Sequence, residues 1–475
     1  MKSNTPSPAT EVKTQKSKKS FSLTRWLTQN EMVQTFSNAW KIPDLRKKLL
    51  FTLMIILLYR IGANLYVPFV NVTMISSNTE ITQLTTGIFG MINLFSGGAF
   101  EQASLFALSV SPYITASIVM QLLTIAIPAL ERLSKEGDEG KKVINKWTRI
   151  VTVALALITA YGYVQLLNSY GLLTISKSSD KAMYYFGMVV MVLCFCAGAA
   201  IIMWLAERIN EHGIGNGISI IMFANIISRG GNMLNSMINM MKDGWGDWKT
   251  GWDLALGIGA FVLSIALSIV TVGLIVWFTN SEERIRIQYA KKVVGRKMYG
   301  GQSSNLPLKM NMAGVMPIIF ASSIVSILPT IAGFTNSNSG FYKVVTNYFG
   351  SGTPVYILVY FVLIFLFSYF YIMISFNPME VANNIKSNGG SSKGYRSGTE
   401  TANYIKRHLN RITTMGAVFL AVVAGVPMII GALFPSFATL AFWGSSLLIV
   451  VGVVLETVRE IEAQMKLRNY KGFLD

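Results

Sequence analysis

The residues able to do covalent or metal chemistry are few in this chain, and they stand apart. Its two histidines, His212 and His408, fall in different polar loops with no second ligand at metal-binding spacing. Cys194 and Cys196 are its two cysteines. Both sit in an apolar run and read as small buried residues, and two cysteines exclude a disulfide framework. The segment Gly137-Asp138-Glu139-Gly140-Lys141 lacks the spacing of a phosphate-binding loop and reads as a polar turn. No nucleophile stands with a base and an orienting group, so neither catalysis, a cofactor nor a metal is expected. The chemistry on offer is non-covalent. Residues 289–299 gather Lys291, Lys292, Arg296 and Lys297 around one glycine, and a later loop adds Lys393 and Arg396. Basic runs are usually solvated faces or lipid-headgroup contacts. Two on the same side of a membrane also suit an acidic or phosphate-bearing partner.

The elements that must position these loops are apolar. Of 475 residues 52% are hydrophobic and 13% charged, against ~25% charged in soluble domains. Mean hydropathy is +0.46. Those values exclude a soluble enzyme, a disordered chain and a coiled coil. Ten apolar segments follow a polar, Lys-rich tail of 48 residues: 49–69, 103–128, 150–168, 184–206, 217–229, 254–278, 313–333, 354–376, 412–433 and 436–455. Most reach the ~20 residues that a helix needs to cross ~30 Å of hydrocarbon, whereas barrel strands would be shorter and would alternate. The fifth is short unless it extends toward Ile238. The expectation is an all-α integral membrane protein. Within the tail, residues 1–20 read as disordered. Leu23, Trp26, Leu27, Val33, Phe36 and Trp40 recur at roughly helical spacing, as in an amphipathic helix on the membrane surface. The tail has no apolar h-region, so it does not read as a cleavable signal peptide.

The loops set the orientation. The tail and the loops 131–149, 207–216, 279–311, 377–411 and 456–475 carry 34 Lys and Arg, and the alternate side carries 6. Both termini are therefore expected in the cytoplasm. Arg60 is the one ionisable residue well inside a span. Ion-coupled pumps and intramembrane enzymes usually need titratable or catalytic groups at depth, so both rival readings are weakened.

Two local patterns add detail. From Ile88 to Phe95 a short apolar helix is expected, ended by Ser96-Gly97-Gly98, with a longer helix after Glu101. The short piece reads either as a re-entrant segment enclosed by protein or as an ordinary outer turn. Separately, Pro112, Ile114, Ala116 and Ser117 match Pro317, Ile319, Ala321 and Ser322 in spacing. The two sites lie five spans apart and so run in opposite directions, as in an inverted repeat of five plus five helices.

Several longer stretches carry a resemblance: Asp44-Leu45-Arg46-Lys47-Lys48-Leu49-Leu50, Arg60-Ile61-Gly62, Asn93-Leu94-Phe95-Ser96-Gly97-Gly98-Ala99, Gly213-Ile214-Gly215-Asn216-Gly217-Ile218-Ser219, Leu306-Pro307-Leu308-Lys309-Met310-Asn311, Phe376-Asn377-Pro378 and Gly444-Ser445-Ser446-Leu447-Leu448. Together, in this order, they resemble the SecY family, the central subunits of bacterial protein translocases, over nearly all the chain after residue 39. The resemblance implies a clamshell of two five-helix halves, 49–240 and 241–455, around an hourglass pore. It implies a plug at about 88–100, containing Ile92, Asn93, Leu94, Phe95, Ser96, Gly97 and Gly98. It implies an apolar constriction ring of Val110, Ile114, Ile218, Met222, Ile319 and Ile449, with Met222 softer than the commoner Ile. A narrow apolar constriction tends to dewet and resist ions, while flexible side chains can close around a passing chain.

The resemblance further implies a lateral gate between the second and third helices and the seventh and eighth. Thr115, Ser117, Gln121, Ser322 and Ser323 lie on two gate helices, where they either admit water to the seam or hydrogen-bond across it. Lys291, Lys292, Arg296, Lys297 and Arg396 are implied to dock the ribosome or the ATPase SecA. The loop around Arg396 lacks the prolines common in the family, which makes it more flexible. The implied partners also include the small membrane subunits SecE and SecG, signal peptides, preprotein and nascent chains, and lipids of the bacterial cytoplasmic membrane. An accessory copy of restricted substrate range is the alternative, with an ion-coupled transporter behind it.

Overall fold

The computed structural model describes residues 37–71, 90–175, 181–231, 235, 238, 251–289, 292–294, 297–299, 303–333, 335, 339–350, 353–392, 394–433 and 443–471. The amphipathic helix expected over 23–40 lies outside them except for residues 37–40, which are helical. Every one of the ten apolar segments contains a helix. In chain order these are α1 (Pro43–Ala63), then a short α2 (Gly90–Phe95), α3 (Ser111–Ala126), α4 (Pro128–Lys135), α5 (Asp138–Ser169), α6 (Lys181–His212), α7 (Gly217–Ser228) and α8 (Gly251–Asn280). After a hairpin come α9 (Met316–Val325), α10 (Ile327–Gly333), α11 (Gly340–Phe349), α12 (Pro354–Ser375), α13 (Pro378–Ser387), α14 (Thr399–Leu433) and α15 (Trp443–Lys471). Among the described residues five helices are long and apolar enough to cross a membrane, or six if the bent pair α3 and α4 is one span.

Proline starts many of these helices. It sits in the first turn of α1, α3, α4, α9, α12 and α13, where a missing N–H costs nothing and φ is already helical. Side-chain caps start others. Asn216 accepts from the N–H groups of Ile218 and Ser219 at α7, and Asn377 accepts from Met379 and Glu380 at α13.

Some boundaries differ from the sequence expectation. The second span does not begin as a helix after Glu101. Residues 96–110 form linked turns, and α3 opens only at Ser111, because Pro112 belongs in a first turn and not in a helix interior. Pro128 then bends the chain by 102° between α3 and α4. The seventh span is broken between α9 and α10. The loop 377–411 is largely helical, and α5 begins at Asp138, so the polar turn ends at Gly137, whose φ is +80°. The last helix continues past residue 455 to Lys471, through most of the stretch read as a tail.

One large buried cluster binds the two halves. It joins residues of α1, α2, α3, α6 and α7 to residues of α9, α12, α14 and α15. A second cluster packs Phe100 and Leu108 against Tyr163, Met191 and Phe195 of α5 and α6. Outward faces stay apolar and exposed, as at Ile158, Phe186, Leu193, Ile269 and Leu358. Such a surface suits lipid and would be a liability in water.

Candidate functional site

The six proposed ring residues come from four helices and one helix cap. Ile114 lies on α3, Ile218 and Met222 on α7, Ile319 on α9 and Ile449 on α15, with Val110 as the N-cap of α3. All six are buried, at 9% exposure or less, and all belong to the same cluster. None faces lipid. Ile114 and Ile319 hold the same place after a first-turn proline in α3 and α9, and these two helices pack together. The repeat extends one step further than the sequence pattern suggested. The N-caps are Val110 and Val315, both helical in φ and ψ, both 1% exposed and both in that cluster. Val315 was missed because valine at a cap looks like any other apolar residue.

The stretch expected to form the plug is largely buried by protein. Ile92, Asn93, Leu94, Phe95 and Ser96 are buried, and Gly97 and Gly98 are half-buried. Leu94 and Phe95 share the cluster of the ring residues, and Ile92 shares the second cluster. Gly97 and Gly98 turn the chain at φ +66° and +89°, which a residue with a Cβ adopts only at a cost. The turn's polar groups are largely paired within it. Asn93 Nδ2 donates to Glu101 Oε2 at 3.0 Å, the Glu101 N–H donates to Asn93 Oδ1 at 3.3 Å, and Ser96 Oγ donates to the Asn93 carbonyl at 3.0 Å. Outside groups hold it as well. Tyr163 Oη donates to the Phe100 carbonyl at 2.5 Å, and Ser109 Oγ donates to the Phe95 carbonyl at 2.7 Å.

The five polar residues assigned to the gate lie on α3 and α9, and each bonds within its own helix. Thr115 donates to Ser111, Gln121 to Ser117, and Ser322 and Ser323 both to the Ile319 carbonyl. Among the described hydrogen bonds none crosses from α3 to α9, so direct bonding across the seam is not what joins them. A cavity of about 200 Å³ opens beside Thr115 and Ser323, walled also by Phe100, Leu108, Tyr163 and Ile327. It touches α3, α5, α9 and α10, the second, third and seventh spans.

The two basic loops form one unit. Strand β1 (Glu282–Tyr289) pairs antiparallel with β4 (Ser303–Lys309), and between them β2 (Lys292–Val294) pairs with β3 (Lys297–Tyr299). Strand β5 (Gly390–Ser392), from the second loop, adds to the other edge of β1. Ile285, Ile287 and Leu308 bury one face of the sheet against Ile385, Ile405 and Ile412 of α13 and α14. His408 Nδ1 meets Glu283 Oε1 at 2.6 Å on that contact. Lys292 and Lys297 lie on β2 and β3, whereas Lys291 and Arg296 fall outside the described residues. Arg396 is exposed, and its backbone N–H donates to Glu400 Oε2 at 3.0 Å.

The hairpin is anchored at its root. Arg459 of α15 donates to the Thr279 carbonyl at 2.7 Å and to Asn280 Oδ1 at 2.9 Å, which satisfies groups at the C-terminal end of α8. Nearby, burial lowers the Lys309 ammonium from its usual value, with Arg459 adding to the effect, and burial raises the Glu456 carboxyl. Among the described residues no group of His, Cys, Asp and Glu could hold a metal.

Comparison with known proteins identifies the family and fold. The SecY family model matches residues 104–458. A protein translocase subunit SecY from Streptomyces coelicolor is 44% identical, with 93% of this chain and 100% of that protein covered. The chain belongs to the SecY family. A second relative of the same name, from Thermus thermophilus, is 38% identical over 93% of this chain and 98% of its own length. The backbone resembles a solved protein-conducting channel at a TM-score of 0.60 and 18% identity, covering 88% of this chain and 92% of that one. It also resembles Sec61 in a canine ribosome-channel complex, at a TM-score of 0.58 and 17% identity, with 88% and 92% covered. These structural likenesses establish the fold of the SecY-family chain.

Proposed function

We propose that this SecY-family chain is the polypeptide channel of a translocase in the bacterial cytoplasmic membrane, with both termini in the cytoplasm. It moves unfolded secretory chains across the membrane and releases membrane segments sideways, and it is not itself an enzyme. The observation that carries the reading is that six apolar side chains, from both halves of the chain, are buried in one cluster that also holds Leu94 and Phe95 of the proposed plug. An apolar waist excludes ions when idle, and its side chains can part around a peptide without offering a polar group that would bind it.

Work comes from outside the chain. The united sheet β4-β1-β5 and its basic tip give one cytoplasmic face for a ribosome, or for SecA with ATP. Lys291, Lys292, Arg296, Lys297 and Arg396 are its proposed contacts. SecE and SecG are the expected membrane partners. Sorting is a partition equilibrium at the seam of α3 and α9. A signal peptide or nascent span gains ~0.3–0.6 kcal/mol per Leu or Ile on entering lipid, and a polar segment gains nothing. Reconstitution into vesicles with SecA, ATP and a preprotein tests the reading. Protease-protected preprotein is the expected result, and none, with SecA bound and ATP hydrolysed, would reject it.

A further inference from the structure

Helix α7 carries a single stripe of residues spaced three and four apart: Ile218, Met222, Asn225 and Arg229. The first two are the proposed ring residues, Asn225 touches the plug, and Arg229 touches a carboxylate that the plug also bonds. Asn225 is 0% exposed in a largely apolar helix, a costly place for an amide. Its Nδ2 donates to the Phe95 carbonyl at 2.5 Å. That carbonyl ends α2, where helical partners run out, and it also accepts from Ser109 Oγ at 2.7 Å. One turn on, Arg229 Nη2 reaches Glu101 Oε2 at 3.5 Å, and the same carboxylate accepts from Asn93 of the plug. The bond to Phe95 fixes the amide's orientation, so Asn225 Oδ1 turns toward Gly97 and is left without a partner.

Arg60 of α1 meets the plug at the same point. A Cβ built on Gly97 would lie 2.9 Å from Asn225 Oδ1, 3.0 Å from Arg60 Nη1 and 3.1 Å from Ser228 Oγ. Only a glycine allows this approach. Arg60 Nη1 is buried there with no hydrogen-bond partner. Native interiors leave few such atoms. Among the described residues Arg60 Nη1 is one of five such atoms; Tyr59 Oη and Asn225 Oδ1 are two more, and these two side chains lie close enough to interact with each other.

We propose that Asn225 and Arg60 act on the plug in opposite directions, Asn225 as a latch that holds it in and Arg60 as a partly buried cation, one nitrogen of which the seated plug covers, that favours its release. The inference rests on the channel reading above. The bond from Asn225 to Phe95 exists only with the plug seated. The seated plug also covers a guanidinium nitrogen that nothing else satisfies, and that nitrogen gains water when Gly97 withdraws. The closed state is thereby held and strained at one contact, which leaves it free to yield to a signal peptide.

The test measures resting ion conductance and SecA-driven uptake of a preprotein with a defective signal, each beside uptake of the intact preprotein. Asn225→Ala is expected to raise conductance and defective-signal uptake severalfold. Arg60→Met, which removes the strain and keeps the latch, is expected to lower defective-signal uptake below the native level. Gly97→Ala acts from the plug side without altering α7, and is expected to behave like Asn225→Ala. The proposal is overturned if Asn225→Ala and Gly97→Ala both stay at native conductance and uptake, or if Arg60→Met shifts uptake in the same direction as Asn225→Ala. Native chain that fails to take up intact preprotein would defeat the channel reading instead, so the two failures are distinguishable.

Discussion

Ile114 and Ile319 hold equivalent positions in two copies of one short pattern, and the fold buries them in one cluster at 1% and 0% exposure. A repeat that is weak as sequence thus places two equivalent residues in one buried cluster. The pair also makes a direct test of the waist. A charge at either site would be buried without a partner unless water entered with it.

The double variant Ile114→Lys, Ile319→Lys is therefore expected to hydrate the constriction and make the resting channel leak. Single-channel recording in planar bilayers should show resting conductance raised on the order of tenfold or more. Conductance at the native level would reject the ring.

The docking claim is tested by reversing charge at the tip. Lys291→Glu, Arg296→Glu and Lys297→Glu together are expected to abolish SecA-driven or ribosome-driven export while the channel still inserts into the membrane. For ribosomes, each lost phosphate contact should flatten log affinity against log salt by about 0.7–0.9. Unchanged export and an unchanged salt slope would remove the assignment.

Arg149 and Glu207 join α5 to α6 through two bonds, of 2.9 Å and 2.8 Å. The Glu207 side chain is 13% exposed and that of Arg149 51%, so the two truncations should differ. Arg149→Ala leaves a mostly buried carboxylate unpaired and is expected to cost about 1–3 kcal/mol. Glu207→Ala lets the guanidinium relax into water and should cost about 1 kcal/mol or less. Thermal unfolding in detergent checks the order, and equal or reversed losses would contradict it.

The sheet that unites the two loops depends on a small apolar face. Ile287 is 4% exposed and pairs with Ser392 across them. Ile287→Ala is expected to cost about 2–4 kcal/mol locally. Hydrogen exchange should then quicken in residues 390–392 while the membrane helices keep their protection. Unchanged exchange in β5 would show that the loops are held together some other way.

Much of this architecture was legible in the chain itself. Runs of about twenty apolar residues with basic loops between them demand spanning helices, because unsatisfied backbone groups are too costly in hydrocarbon. Gly97-Gly98 after a short apolar run marked a break in the chain, leaving an enclosed segment and an outer turn both open, and the scarcity of intramembrane charge argued against a pump. What sequence could not supply were relationships between distant elements. Nothing at Asn225 announces a bond to the Phe95 carbonyl, since a backbone acceptor carries no residue type. Arg60 was visible as an isolated charge, but its contact with Gly97 exists only once α1, α2 and α7 are brought together. The two basic loops looked alike and independent, and only β5 pairing with β1 makes them one face. Local pattern determined which segments enter the membrane and where the chain turns, because those follow from transfer energy and backbone geometry. Which residues share the buried cluster, the Asn225–Phe95 bond and the β1–β5 pairing was decided by packing in three dimensions, where residues distant in the chain come together.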